Sequence, residues 1–198
     1  MRSIKGFVAV LLCAAGLSMA GCGTAPSRDS AASLPAAAPQ VIVDETTRAE
    51  FTRAIDALSA DRLDEAERLL VALTEQHPDL YGPYANLGIL YARTGNVEAA
   101  EKALNKAVTL KPNAAEAYNQ LGILYRNAGR FEDARVAYER AVEIDPKYAN
   151  AQLNLGILYD LYLQDYKQAM KHYKRYQRLV PDKDKEVALW IADLKRRQ

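Results

Sequence analysis

The chain has 198 residues, with 26 Lys and Arg against 25 Asp and Glu, and its formal net charge is +1. This length allows one domain of ordinary size with additional segments. Because the charge is balanced, there is no general reason to expect nucleic acid as a partner, and none is predicted. Alanine, leucine, glutamate, lysine and arginine dominate the composition, which favours helix.

The first 21 residues have the pattern of a secretory signal. Two basic residues stand near the start, and residues 7–20 carry no charge. Such a run is shorter than the roughly 20 apolar residues that a membrane-spanning helix needs. Residues 17–22, LSMAGC, resemble the cleavage site of bacterial lipoproteins, although Met19 replaces the usual leucine. The resemblance implies that Cys22 becomes the acylated (palmitate-bearing) first residue. The alternative is an ordinary secretory signal that is cleaved after a small residue.

Residues 22–44 are predicted to be the acylated cysteine followed by a flexible tether. The stretch from 24 to about 40 is rich in Ala, Ser and Pro and has no periodic apolar pattern. By resemblance to enterobacterial lipoproteins, Gly23 implies sorting to the outer membrane, facing the periplasm. Cys13 lies in the segment expected to be removed, so no thiol remains for a disulfide or a cysteine metal site.

The rest of the chain contains an internal repeat. The string LGILY occurs at residues 87–91, 121–125 and 155–159, so both steps are 34 residues. A proline ends each unit, at Pro78, Pro112, Pro146 and Pro181. The most complete unit carries Tyr118, Leu121, Gly122, Tyr125, Ala134, Tyr138, Ala141 and Pro146. This pattern resembles the tetratricopeptide repeat, which implies an all-α solenoid of stacked helical hairpins. We predict four repeats within residues 45–183, at 47–80, 81–114, 115–148 and 149–183.

The outer repeats depart from the pattern. The first has Arg53 and Ala54 where the others have the Leu-Gly pair. The fourth lacks a turn glycine and carries one extra residue, so its turn around residues 161–164 is expected to be distorted. In the regular repeats, Gly95 and Gly129 are expected to adopt positive φ and to end the first helix. The glycine of each Leu-Gly pair is expected to face an alanine of the second helix.

Residues 184–198 are predicted to form a cap helix. Val187, Trp190, Ile191 and Leu194 have the spacing of one helical stripe, which would cover the last repeat. Asp182 or Asp184 can cap its start, and basic residues suit its end. Trp190 is therefore expected to be buried in this contact.

The sequence contains no catalytic or metal-binding motif that we recognise. His77 precedes a proline in a turn, and His172 stands among charged residues, so both are expected to be solvated. We predict that the protein is not an enzyme. We expect no metal and no cofactor beyond the covalent lipid on Cys22.

The resemblance implies that the first helix of each repeat faces a concave groove. By register, the partner-facing residues are Ala85, Asn86, Ile89, Asn119, Gln120, Ile123, Leu153, Asn154 and Ile157. In one interpretation, the isoleucines and amides bind an apolar or amphipathic segment of a protein or peptide. In the other, the isoleucines pack between adjacent first helices. Both remain open from the sequence.

Charge is unevenly distributed along the predicted solenoid. Residues 44–68 contain eight acids and four arginines, whereas residues 160–198 contain six acids and ten Lys and Arg. The basic end is either a docking face for an acidic partner or lipid head groups, or a solvated helix face.

These features predict a membrane-anchored protein–protein interaction scaffold that assists the assembly or function of a bacterial envelope complex. One alternative is an adaptor or regulator of a periplasmic peptidoglycan hydrolase or protease. Another is a component of a TonB-type or pilus system. No motif specifies the partner or an oligomeric state.

Overall fold

The computed structural model describes residues 43–197. Over this range the chain forms nine helices and no strand, and these are α1 (Glu45–Ser59), α2 (Leu63–Gln76), α3 (Tyr81–Arg93), α4 (Val97–Leu110), α5 (Ala115–Asn127), α6 (Phe131–Ile144), α7 (Ala149–Leu161), α8 (Tyr166–Leu179) and α9 (Lys185–Arg197). The predicted signal segment, Cys22 and nearly all of the tether lie outside the described residues. The predicted all-α solenoid is confirmed.

The helices pack as a stack of hairpins. Helices α1 and α2, α3 and α4, α5 and α6, and α7 and α8 form the four pairs, and the second helix of each pair contacts the first helix of the next. Neighbouring first helices, α1, α3, α5 and α7, also contact one another. Each pair therefore buries its apolar face against its neighbours, as a repeat solenoid requires. None of the helices within residues 43–197 is long and apolar enough to cross a membrane.

The turn inside each hairpin depends on one residue with positive φ. In the first three repeats these residues are 34 positions apart, at Asp61 (60°), Gly95 (81°) and Gly129 (76°). Aspartate tolerates this region better than most residues that carry a Cβ. In the fourth repeat, Gln164 takes the same role at 55°, and the Leu163 amide bonds to the Leu158 carbonyl at 3.0 Å. The extra residue of the fourth repeat is accommodated in this turn.

The glycines of the Leu-Gly pairs allow the two helices of a hairpin to approach closely. A Cβ on Gly122 would lie 2.5 Å from the Tyr138 ring, and one on Gly156 would lie 2.6 Å from Tyr173. The large side chain one turn after the alanine comes nearest, and at Gly88 the carbonyl oxygen of Ala100 also lies 3.3 Å from the Cβ position. Side chains on a helix lean towards its N-terminus, so Tyr138 reaches back over the turn that carries Ala134.

His172 is buried, which corrects the expectation that it is solvated. Its side chain is 8% exposed, and its Nδ1 lies 2.8 Å from Gln152 Oε1 on α7. Its ring stacks on Tyr159, with ring centroids 5.8 Å apart. The charged neighbours of His172 in the sequence occupy the other face of α8, and the histidine lies on the face packed against α7.

Helix α9 packs on α8 at the end of the stack. Asp184 caps its start, because its Oδ1 accepts from the amides of Glu186 at 2.9 Å and Val187 at 3.1 Å. Val187 is buried, while the half-buried Trp190 has its ring centroid 5.4 Å from that of Tyr173. The apolar stripe of α9 thus contributes to the same core as the last hairpin.

Candidate functional site

The first helices place the nine predicted groove residues in two classes of environment. Five of them are buried, namely Ala85, Asn86, Ile89, Asn119 and Ile157. The remaining four are half-buried and lie on α5 and α7, namely Gln120, Ile123, Leu153 and Asn154. The surface that these residues offer to a partner is therefore concentrated on the third and fourth repeats.

The three isoleucines occupy one register position and differ in exposure. Ile89 is 8% exposed and belongs to the core formed with α1 and α2, and Ile157 is 3% exposed in the core of the last repeats. Both side chains therefore pack between helices, as the second interpretation of the sequence expects. Ile123 is only partly buried against the second of these cores. It is the isoleucine of this row with surface left for a ligand.

The amides of the row bond largely within the protein. Asn154 Nδ2 donates to Asn119 Oδ1 at 2.9 Å, which joins α7 to α5. Asn86 Nδ2 donates to the Gly82 carbonyl at 2.9 Å, one turn back on its own helix. Asn86 Oδ1 is buried without a hydrogen-bond partner among the described residues. The Asn154–Asn119 bond fixes the relative position of the two helices that carry the half-buried residues.

Tyr148, at the start of α7, was not found by the reasoning from sequence. Burial raises its pKa to about 12, with Glu116 adding to the effect, while hydrogen bonds to Asn150 and Asn119 act in the opposite direction. Tyr148 thus joins the polar group of Asn119 and Asn154. The repeat pattern assigns no role to the position just before a first helix, so only the packing of α5 against α7 reveals it.

A second polar group lies near the C-terminal ends of α5 and α7. Arg126 Nη1 and the Tyr138 hydroxyl are both buried without a hydrogen-bond partner among the described residues. Burial raises the pKa of Tyr138, and the positive charge of Arg126 opposes that rise. One repeat later, the Tyr173 hydroxyl on α8 donates to Asp160 Oδ2 at 3.2 Å. Sequence reasoning assigned none of these side chains to a polar cluster.

Within residues 43–197, no group of three or more His, Cys, Asp or Glu side chains is placed to hold a metal ion. The half-buried strip on α5 and α7 combines two apolar side chains with two amides. Such a surface can take an apolar side chain and offer hydrogen bonds to a peptide backbone.

Comparison with solved structures finds the same fold in several proteins. The MamA protein, whose crystal structure is known, has 24% sequence identity to this chain and a TM-score of 0.65. The match covers 77% of this chain and 82% of MamA. Pseudomonas aeruginosa pilF is 22% identical, with a TM-score of 0.70 and coverages of 77% and 69%. A thermophilic tetratricopeptide repeat protein of Thermus thermophilus is 20% identical, with a TM-score of 0.65 and coverages of 77% and 82%. At these identities, the likeness establishes the fold alone.

Comparison with curated proteins found no match. Family models of the tetratricopeptide repeat match residues 57–122, 115–148 and 150–183. Together they extend from the first hairpin, whose sequence pattern is the weakest, to the end of α8. The chain is therefore a member of the tetratricopeptide repeat family, and its fold is that of a protein–protein interaction scaffold.

Proposed function

We propose that this protein is a lipid-anchored scaffold that holds a segment of another protein against α5 and α7 during the assembly or function of a bacterial envelope complex. The observation that carries the proposal is the strip of four half-buried residues on adjacent first helices, namely Gln120, Ile123, Leu153 and Asn154. Asn154 bonds across to Asn119, which joins the two helices that carry the strip. A preformed surface of this kind loses little conformational freedom when it binds.

The anchor is proposed on the resemblance of residues 17–22 to a lipoprotein cleavage site. Each buried methylene contributes roughly 0.8 kcal/mol, and one acyl chain gives only marginal attachment, so stable anchoring needs more than one chain on Cys22. The proposed location is the outer membrane, facing the periplasm. Cys22→Ser is expected to release the protein into the soluble fraction at high salt. If the variant stays with the membrane, the proposed anchor is wrong.

The binding surface is tested by affinity capture of the lipidated protein from gently solubilised membranes. Ile123→Asp places a charge in the centre of the strip, and Gln120→Arg changes its edge without touching the core. Val136→Asp is the matched control, because Val136 is 58% exposed on the second helix of the same repeat. The helical signal and the melting temperature of every variant are measured alongside.

We expect proteins that are captured with the wild type and with Val136→Asp to be lost with both strip variants. A stable stoichiometric complex with membrane machinery would support the scaffold. Transient binding to a soluble peptidoglycan hydrolase or protease would support an adaptor instead. If capture is the same for all variants, the partner does not bind the strip. If Ile123→Asp alone collapses the fold, the capture with Gln120→Arg decides whether the partner binds the strip.

A further inference from the structure

The second helix of the last repeat carries an uncompensated stripe of positive charge. Helix α8 contains five basic residues and no acid. Four of them, Lys167, Lys171, Lys174 and Arg178, are spaced four, three and four residues apart, so they lie on one face, and all four are exposed. Like charges at this spacing destabilise a helix. None of the four forms an ion pair with another residue of the described chain.

The equivalent face of the first repeat carries the opposite charge. One face of α2 carries Asp64, Glu67, Arg68, Val71, Ala72 and Glu75. Three of these residues are acidic and one is basic, and the two small apolar residues lie between them. Over residues 44–79, ten acids and four arginines give a net charge of −6, whereas over residues 166–197 four acids and ten basic residues give +6.

The two stripes correspond to each other through the repeat. A shift of 103 residues is three repeats of 34 and the one extra residue of the fourth. It brings the acidic ends, Asp64 and Glu75, to Lys167 and Arg178, and the middle positions, Arg68 and Val71, to Lys171 and Lys174. Each set covers 12 residues from its first to its last charge, and the 11 steps between them give a length of about 16 Å on a helix. One molecule therefore carries a basic stripe on α8 and, at the positions equivalent to the two ends of that stripe, two acids on α2 at the other end of the solenoid.

We propose that the partner of the basic stripe on α8 is this acidic face of α2 on a second copy of the chain. An antiparallel arrangement of the two helices pairs Arg178 with Asp64 and Lys167 with Glu75, and it places Lys174 opposite Arg68. Lys171 then lies opposite Val71, where its aliphatic stem covers apolar surface and its ammonium group stays in water.

The contact joins two unlike surfaces, so each copy leaves one stripe free for a further copy unless the arrangement closes on itself. It is also small and electrostatic, and such contacts are weak and dependent on salt. Arg68 is the one positive charge on this face of α2, and it lies opposite Lys174. This arrangement provides a gain-of-affinity test: Arg68→Glu is expected to strengthen the association.

The test uses residues 22–198 with Cys22→Ser, which contain all the described helices and carry no lipid. Sedimentation velocity over a range of protein concentrations measures self-association. We compare about 0.01 M with about 1 M NaCl, between which the screening length falls from roughly 30 Å to 3 Å. Two double variants reverse matched ends of the stripes, Lys167→Glu with Arg178→Glu, and Asp64→Lys with Glu75→Lys. All four of these residues are exposed, so the fold is expected to survive, and circular dichroism checks this.

The wild type is expected to associate at low salt and to dissociate at high salt. For each double variant alone, the dissociation constant of self-association is expected to rise at least about tenfold, because two attractions become repulsions. An equimolar mixture of the two double variants is expected to recover the association, because the unchanged basic α8 of one variant can bind the unchanged acidic face of α2 of the other.

A wild type that stays monomeric at low salt overturns the proposal, and so does a mixture that fails to recover association. The anionic lipid surface is the competing occupant. It is tested with vesicles of phosphatidylglycerol in phosphatidylcholine. A monomeric chain whose binding to these vesicles is lost with Lys167→Glu and Arg178→Glu would assign the basic stripe to lipid head groups instead.

Discussion

The burial of His172 predicts a loss of stability in mild acid. Packing against α7 removes the ring from water, and this desolvation lowers its pKa to about 4, with Lys171 adding to the effect and Glu139 opposing it. In the unfolded chain, the pKa of a histidine is about 6.5. Between these two values, the unfolded chain takes up a proton that the folded chain does not. The free energy of unfolding therefore falls as the pH drops from about 6.5 towards 4.

The size of the effect follows from the two pKa values. Each pH unit inside the window changes the free energy of unfolding by up to about 1.4 kcal/mol. Because the group keeps some contact with solvent, we expect a total loss of about 2 kcal/mol, which corresponds to roughly 4–8 °C in melting temperature for a chain of this size. Ordinary carboxyl groups titrate mainly below about pH 4.5, so they contribute little in the upper part of the window.

Thermal unfolding between about pH 7.5 and pH 4.5 measures this loss. His172→Asn is the matched variant, because its amide can still donate to Gln152 Oε1 and does not titrate. We expect the variant to be less stable than the wild type at neutral pH, since it loses the stacking on Tyr159. Its melting temperature is expected to change little with pH above about pH 5. If both curves have the same slope, or if NMR shows the His172 ring titrating near its ordinary pKa, the reasoning from burial fails.

Three further predictions concern packing and capping. Gly122→Ala places a Cβ 2.5 Å from a fully buried ring and should lower the free energy of unfolding by about 1–3 kcal/mol, as measured in urea. Gly129→Ala, which meets no neighbouring atom, should show only the smaller cost of positive φ, and equal losses would contradict the packing argument. Tyr138→Phe removes a buried hydroxyl that has no described partner and should raise the free energy of unfolding by about 1 kcal/mol, whereas a loss of that size would mean that the hydroxyl is bonded. Asp184→Ala removes the two cap bonds of α9 at a cost of about 0.5–2 kcal/mol, and the fluorescence of Trp190, the single tryptophan, should then report loosening of α9 before the whole chain melts.

The pattern of the repeat was sufficient to predict the helices and their turns. A motif that recurs every 34 residues specifies local structure, because turn residues and helix-stopping prolines act on the chain around them. Gly95 and Gly129 adopt the expected positive φ, and the fourth turn departs from the regular repeats where an extra residue had been found. Asp184 caps α9 as its position suggested.

The candidate site was less predictable, because exposure depends on neighbours that are distant in the chain. The same register position is buried at Ile89 and half-buried at Ile123, since different helices cover the two. The bond from Asn154 to Asn119 spans 35 residues and requires α5 and α7 to lie side by side. The motif contains no information about such contacts between repeats.

The sequence by itself determined the all-α repeat fold, the number of hairpins and the opposite charges of the two ends. These properties depend on residue types at fixed local spacings. Only the tertiary structure decided that His172 is buried, that the Tyr138 ring fills the space beside Gly122, and which groove residues keep an accessible surface. The physical reason is that a solenoid buries each helix against the next one, so the environment of a side chain is set by residues one repeat away.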